Sequence, residues 1–214
     1  MYQPPHFREE RLNVLHALID SHPLGLLVTL AGGDLVANPL PFLIDRDAGP
    51  NGTLLAHLAR ANGQWRDIDP SLPALVAFQG PQHYVTPSWY ETKRETGKVV
   101  PTWNYATVQV RGPVIVHDDP VWLRTQVGRL TARHEDGRAA PWAVDDAPES
   151  FVAAQLKGIV GIEIPIAAIE GKWKVSQNRP AADRAGVVGG LGAEPGDAAA
   201  AMAGLVAARA SDAR

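Results

Sequence analysis

The chain has 214 residues, with 20 Lys and Arg against 23 Asp and Glu, a net charge of −3 and no cysteine. This length fits one domain, or one domain with a small appendage, with enough chain to bury a full core. The charge balance leaves no excess for binding nucleic acid by counterion release, and the missing thiols exclude disulfides, thiolate metal sites, iron–sulfur clusters and cysteine nucleophiles.

Along the chain, Leu12, Leu15 and Ile19, flanked by Val14 and Leu18, form one apolar stripe. The spacing predicts a helix over residues 9–21 that Pro23 closes. LGLLVTL (24–30) followed by Ala-Gly-Gly-Asp reads as a strand and hairpin turn. A second strand follows over 35–44, and Pro39 and Pro41 place part of it at an edge or a bulge. Asn51-Gly52 signals a hairpin leading into TLLAHLA, and ALVAFQG (74–80) is a further strand. From Trp103 to Val116 apolar and polar residues alternate, with Ala106, Val108 and Val110 on one side and Tyr105, Thr107, Gln109 and Arg111 on the other. Asp118-Asp119-Pro120 supplies a cap and first-turn proline for a helix bearing Leu123, Val127 and Leu130. Residues 148–157 read as a short helix, and IVGIEIPI and IEGKWKVS as the last two strands. Short strands joined by hairpins, with helices at the start and in late insertions, give a β-rich α+β chain, an antiparallel barrel with peripheral helices.

The domain is expected to span residues 1–180. Residues 181–214 are rich in Ala and Gly, without aromatics. There Gly190 and Gly192 open a dinucleotide fingerprint that Pro195 breaks, so the segment reads as a glycine-rich linker and an alanine-rich terminal helix or tail. No apolar run approaches the ~18 residues of a membrane span. The opening MYQPPHFREERL is no signal peptide, so a cytoplasmic location is expected.

Three segments could carry chemistry. Residues 78–105 hold six of the chain's 14 aromatics, with Lys93, Arg94, Lys98 and Asn104. That mixture suits a flat amphipathic ligand, or else an aromatic cluster plugging a barrel end. In HLARANGQW, His57, Arg60 and Asn62 could converge on an anion, or Asn62 could simply cap a helix. In GKWKVSQNR a Trp lies between two lysines, which also reads as a lysine-protected edge strand. The seven histidines have no metal-ligand spacing, so no metal is expected. The pairs Asp118/Asp119 and Asp145/Asp146 read as caps, and no side chain stands out as a general acid or base.

Seven motifs in series, MYQPPHF, ANPLPFLID, HLARANGQW, FQGPQHYVTPSWY, GKVVPTWNY, IVGIEIPI and GKWKVSQNR, resemble the FMN-binding negative transcriptional regulators, the PaiB-like family. The resemblance runs to about Gly190; the family's usual proline after Asn62 is Gly63 here. It implies an antiparallel split β-barrel that forms a homodimer with FMN at the subunit interface. It places the FMN phosphate near His57, Arg60 and Asn62 and the ring along Asn38 and Pro39. Trp103, Asn104, Tyr105 and Thr107 would meet the ring or ribityl chain, and Trp173 and Lys174 the partner's side of the pocket. A flavin-dependent redox or sensing role follows from the resemblance. The alternative is a transcriptional regulator acting through DNA or a protein partner, for which the helix with Arg124, Arg129 and Arg133 is the one candidate reader.

Overall fold

The computed structural model describes residues 1–211. The strands are β1 (Arg8–Glu9), β2 (Leu24–Ala31), β3 (Asp34–Pro41), β4 (Leu43–Asp45), β5 (Thr53–Ala59), β6 (Ala74–Val85), β7 (Thr102–Gly112), β8 (Ile115–His117), β9 (Ile159–Pro165) and β10 (Ala168–Lys174). The helices are α1 (Leu12–Ser21), α2 (Glu91–Thr96), α3 (Pro120–Glu135), α4 (Glu149–Leu156), α5 (Ala181–Ala193) and α6 (Asp197–Ser211). The strands form a six-stranded sheet in the order β1-β10-β7-β6-β2-β3 and a four-stranded sheet in the order β4-β5-β9-β8.

The elements follow local chemistry. Gly32 and Gly33, with φ of 61° and 89°, make the two-residue turn between β2 and β3. Left-handed backbone at both central positions matches the twist of the flanking strands. The strand expected over 35–44 breaks at Phe42 into β3 and β4, and β3 with its two prolines lies at the sheet edge. Asp119 caps α3 by accepting from the Val121 and Trp122 amides, with Pro120 in the first turn.

The chain divides into two compact units, to both of which β6 and β7 contribute. One comprises residues 16–78 and 109–169. Leu27, Phe42, Leu54, Val76, Phe78, Val110 and Ile162 are buried in it, with Phe42 and Phe78 edge to face at 5.7 Å between centroids. Beside its four-stranded sheet, Leu123, Val152 and Leu156 bury α3 and α4 against each other.

The other unit comprises residues 1–15, 79–108 and 170–214. Its buried residues include Leu15, Val85, Tyr90, Trp173, Val187, Leu191 and Met202. GVVGGLGA, expected as linker, is helical here as part of α5, and the cause is close packing. A Cβ on Gly186 would stand 1.9 Å from the Trp89 carbonyl oxygen, and one on Gly190 2.3 Å from the Trp89 ring. These glycines, one turn apart, make the groove that receives Trp89.

Candidate functional site

In the unit of residues 16–78 and 109–169, Gln64 ties the sequence-expected residues together. It is 3% exposed. Its amide Nε2 donates to Thr29 Oγ1 (3.0 Å) and the Val36 carbonyl (3.2 Å), and its Oε1 accepts from Asn38 Nδ2 at 2.9 Å. Its backbone N–H donates to Asn62 Oδ1 at 3.0 Å, so Asn62 caps the short 3₁₀ turn at Gly63–Trp65. Asn38 and Asn62 therefore meet on one buried residue, at its side chain and its backbone respectively.

His57 Nδ1–H donates to Gln126 Oε1 at 2.8 Å. Gln126, from α3, is 2% exposed, and its Nε2 has no protein partner. A buried amide donor left open beside an imidazole fits an oxygen-bearing ligand.

Arg60 is held on three sides. Nε donates to the Lys157 carbonyl at 2.8 Å, Nη2 to the Ile159 carbonyl at 3.0 Å, and both Nη atoms to the Asp118 carboxylate. Hydrogen bonding to Asp118 raises the guanidinium's pKa, and the same pair holds the Asp118 carboxyl below its ordinary value. Four of the five guanidinium N–H groups are thus used, and one on Nη1 stays open. Only Asp119 of the aspartate pair caps α3; Asp118 orients Arg60. The ion pair borders a cleft of about 440 Å³ between α3 and α4, floored by Val121, Leu123 and Leu156.

Pro39 is exposed on β3 in this unit, and the remaining residues lie in the other one. Trp103 is 49% exposed, meets Tyr84 edge to face at 6.1 Å, and donates from Nε1 to Gln82 Oε1 at 2.6 Å. Tyr105 lies under the Lys172 ammonium, 5.4 Å from ring centroid to Nζ. Asn104 is buried and donates to Ser176 Oγ at 2.9 Å. Lys174 Nζ donates to the Trp103 carbonyl at 2.6 Å and to Thr102 Oγ1. Burial and repulsion from Lys172 and Arg179 lower its pKa. Trp173, on the opposite face of β10, is 4% exposed. Strand β10 is no edge strand, because β1 pairs with it through Arg8↔Lys172 and Glu9↔Gly171.

Gln64, Gln126 and Asp118 are neighbours of the expected residues that spacing did not assign to the site. Only Asp118 had a readable signal, since two adjacent aspartates cannot both cap one helix.

A family model described as "Putative FMN-binding domain", FMN_bind_2, matches residues 1–168. The chain is 30% identical to the protease synthase and sporulation protein PAI 2 of Bacillus subtilis, over 96% of each chain. It is 36% identical to the uncharacterized protein AN0679 of Emericella nidulans, over 89% of this chain and 90% of that one. Among solved structures, the FAD and heme binding protein of Mycobacterium smegmatis superposes with a TM-score of 0.56 at 19% identity, covering 78% of this chain and 73% of the other. That likeness establishes the fold expected from the sequence, an antiparallel split β-barrel with peripheral helices. The motifs that suggested the family are therefore carried by a matching fold and a matching domain, and this chain belongs to the FMN_bind_2 family of PaiB-like, FMN-binding proteins.

Proposed function

We propose that the protein binds FMN, as a homodimer, and uses it in a redox or sensing role. The observation that carries the reading is the face of β7 on which Trp103 is 49% exposed and Tyr105 lies under the Lys172 ammonium. A flat ring with a charged tail matches that surface. The family match over residues 1–168 supports the same ligand.

In this reading Trp103 and Tyr105 wall the ring, and Thr107 faces the ribityl chain. Asn104 fixes the strand through Ser176, and Lys174 braces the Trp103 carbonyl. Pro39 lies on an exposed sheet face, while Asn38 holds Gln64 behind it. Within the unit of residues 16–78 and 109–169, His57, Asn62 and the open N–H of Arg60 offer donors for a phosphate, with Gln126 Nε2 a further donor. Bound FMN would supply the electron transfer; the chain's residues orient it and hold its charge.

Direct DNA reading by α3 is not part of the proposal. Arg124 pairs with Asp145 (2.7 Å) and Glu149 (3.2 Å), Arg129 with Asp45 (3.0 Å) and Arg133 with Asp20 (3.2 Å), which leaves the helix no free basic stripe.

The test is a flavin titration followed by absorbance and fluorescence. Wild type is expected to bind FMN more tightly than riboflavin, which lacks the phosphate. A charge-assisted hydrogen bond contributes about 1.5–3 kcal/mol, so Arg60→Ala should weaken FMN by roughly 10- to 150-fold. Because Asp118 already neutralises Arg60, the lower end is expected. Riboflavin affinity should be indifferent to the change. Equal weakening of both flavins makes Arg60 structural, and binding of neither refutes the cofactor reading.

A further inference from the structure

The cations of β10 and the turn after it form an arrangement that cofactor binding near Arg60 does not use. Lys172 and Lys174, two residues apart, project from the same face of the strand. Lys172 is 8% exposed, gives one hydrogen bond to the Tyr2 carbonyl at 3.0 Å, and sits between the Tyr2 and Tyr105 rings. Lys174 bonds only to the Thr102 hydroxyl and the Trp103 carbonyl. Arg179 lies over the Tyr90 ring with its guanidinium carbon 4.6 Å from the centroid. Among the described residues none of the three has a carboxylate partner. Two acidic side chains are as strongly buried: Glu9 is paired with arginines, and the Asp183 carboxylate accepts from the Thr92 N–H and hydroxyl.

The backbone is built to bring these cations together. Ser176 has φ of 63°, a left-handed conformation that few non-glycine residues adopt. It is held there by Asn104, whose side chain bonds its hydroxyl. Gln177 closes the same turn by accepting from the Val175 N–H and donating to the Trp173 carbonyl. The Arg179 N–H then donates to the Ser176 carbonyl at 2.9 Å. A rigid, unusual turn thus holds Arg179 near Lys174, whose half-buried ammonium is repelled by Lys172 and Arg179.

We propose that Lys172, Lys174 and Arg179 form an anion site for the phosphate of a phosphomonoester ligand. Two ammonium groups and one planar guanidinium match a tetrahedral dianion with several acceptor oxygens, and Tyr105 beside them offers an aromatic surface for the ligand's body. The dianion has two possible sources, a separate phosphorylated co-ligand or the phosphate of FMN itself.

Inorganic phosphate is the probe, exchanged for chloride at constant ionic strength and pH. Binding is read from the shift in melting temperature and from ³¹P line broadening. Phosphate is expected to raise the melting temperature of wild type. Lys174→Met and Arg179→Met should each weaken phosphate roughly tenfold or more, while Lys174→Arg and the exposed control Lys98→Met keep it. Melting in chloride confirms that each variant is folded. A wild type that does not respond, or a Lys174→Met response equal to wild type, overturns the site. Repeating the titration on FMN-saturated protein separates the sources: a retained response assigns the site to a second ligand, and a lost one to the cofactor's own phosphate. The phosphate arm without flavin decides the site even if FMN does not bind.

Discussion

At the scale of single residues, charge is placed with care. Glu9 is 3% exposed, and burial alone would push its carboxyl pKa up. Hydrogen bonds from the Arg11 side chain and backbone N–H, with the charges of Arg209 and Arg11, outweigh that effect and hold it below 4.5. The folded state therefore binds the proton less readily than the unfolded chain. The resulting stability is complete above the ordinary carboxylate value and is lost as pH falls through the lowered one. Glu9→Gln should cost about 3 kcal/mol, the low end for a broken buried pair because Arg11 is half-exposed. It should also flatten the acid limb of a denaturation curve taken against pH; an unchanged limb would show that Glu9 carries none of the acid sensitivity. Arg60 and Asp118 illustrate how far single residues were legible. HLARAN was readable as a place for polar groups, whereas its clamp on Arg60 comes from Asp118, 58 positions later. The Lys172 environment was hidden for a similar reason. Lysines alternating on a terminal strand look like edge protection until a two-residue strand from the far end of the chain covers that edge.

At the scale of elements, patterns with a local cause were the readable ones. The Gly-Gly turn and the Asp-Pro helix start have partners within a few residues and appear in the structure, and the alternation from Trp103 holds as far as Gly112, where β7 ends short of the expected Val116. Strand β6 extends to Val85, beyond the readable run to Gly80. The glycine-rich helix α5 was unreadable, because its fitness depends on Trp89, about a hundred residues away. Each glycine in a helix costs about 1 kcal/mol relative to alanine, and here two of them are required by the contact. The paired prediction is that Gly189→Ala, whose Cβ meets nothing within 4 Å, stabilises by about 0.5–1 kcal/mol. Gly190→Ala should instead destabilise by about 1–3 kcal/mol by overpacking. Chemical denaturation of the two variants gives the signs, and the same sign for both would remove the Trp89 groove as the explanation.

At the scale of the whole molecule, one surface calls for a partner. The register sets Leu24 opposite Pro41, Leu26 opposite Pro39, Val28 opposite Ala37 and Leu30 opposite Leu35, and it continues onto β6 with Ala77 and Leu75. All ten of these side chains are apolar, yet Leu24 is 65% and Leu35 78% exposed. A solvated face of an antiparallel sheet is ordinarily polar, and contiguous apolar surface of this kind marks an interaction site. With the proposed dimer, light scattering should give twice the chain mass at micromolar concentration. Leu26→Glu should shift the protein toward monomer without unfolding it, because the side chain already meets solvent in the single chain. A wild-type monomer, or a Leu26→Glu dimer of unchanged affinity, would locate any interface elsewhere.

The prolines of β3 bear on how such a surface stays safe. The strand lies at the end of its sheet, where an open row of amide donors would invite any passing strand to add itself. Pro39 and Pro41 have no N–H to give and, two residues apart, address the same side of the strand. The ladder to β2 keeps its bonds only if that side is the open one. The outer edge therefore lacks two successive donors, and an incoming chain cannot extend a ladder past Ala37. Sticky in its face and barren along its edge, the sheet can pair in a closed, countable way while runaway fibre growth is denied a template.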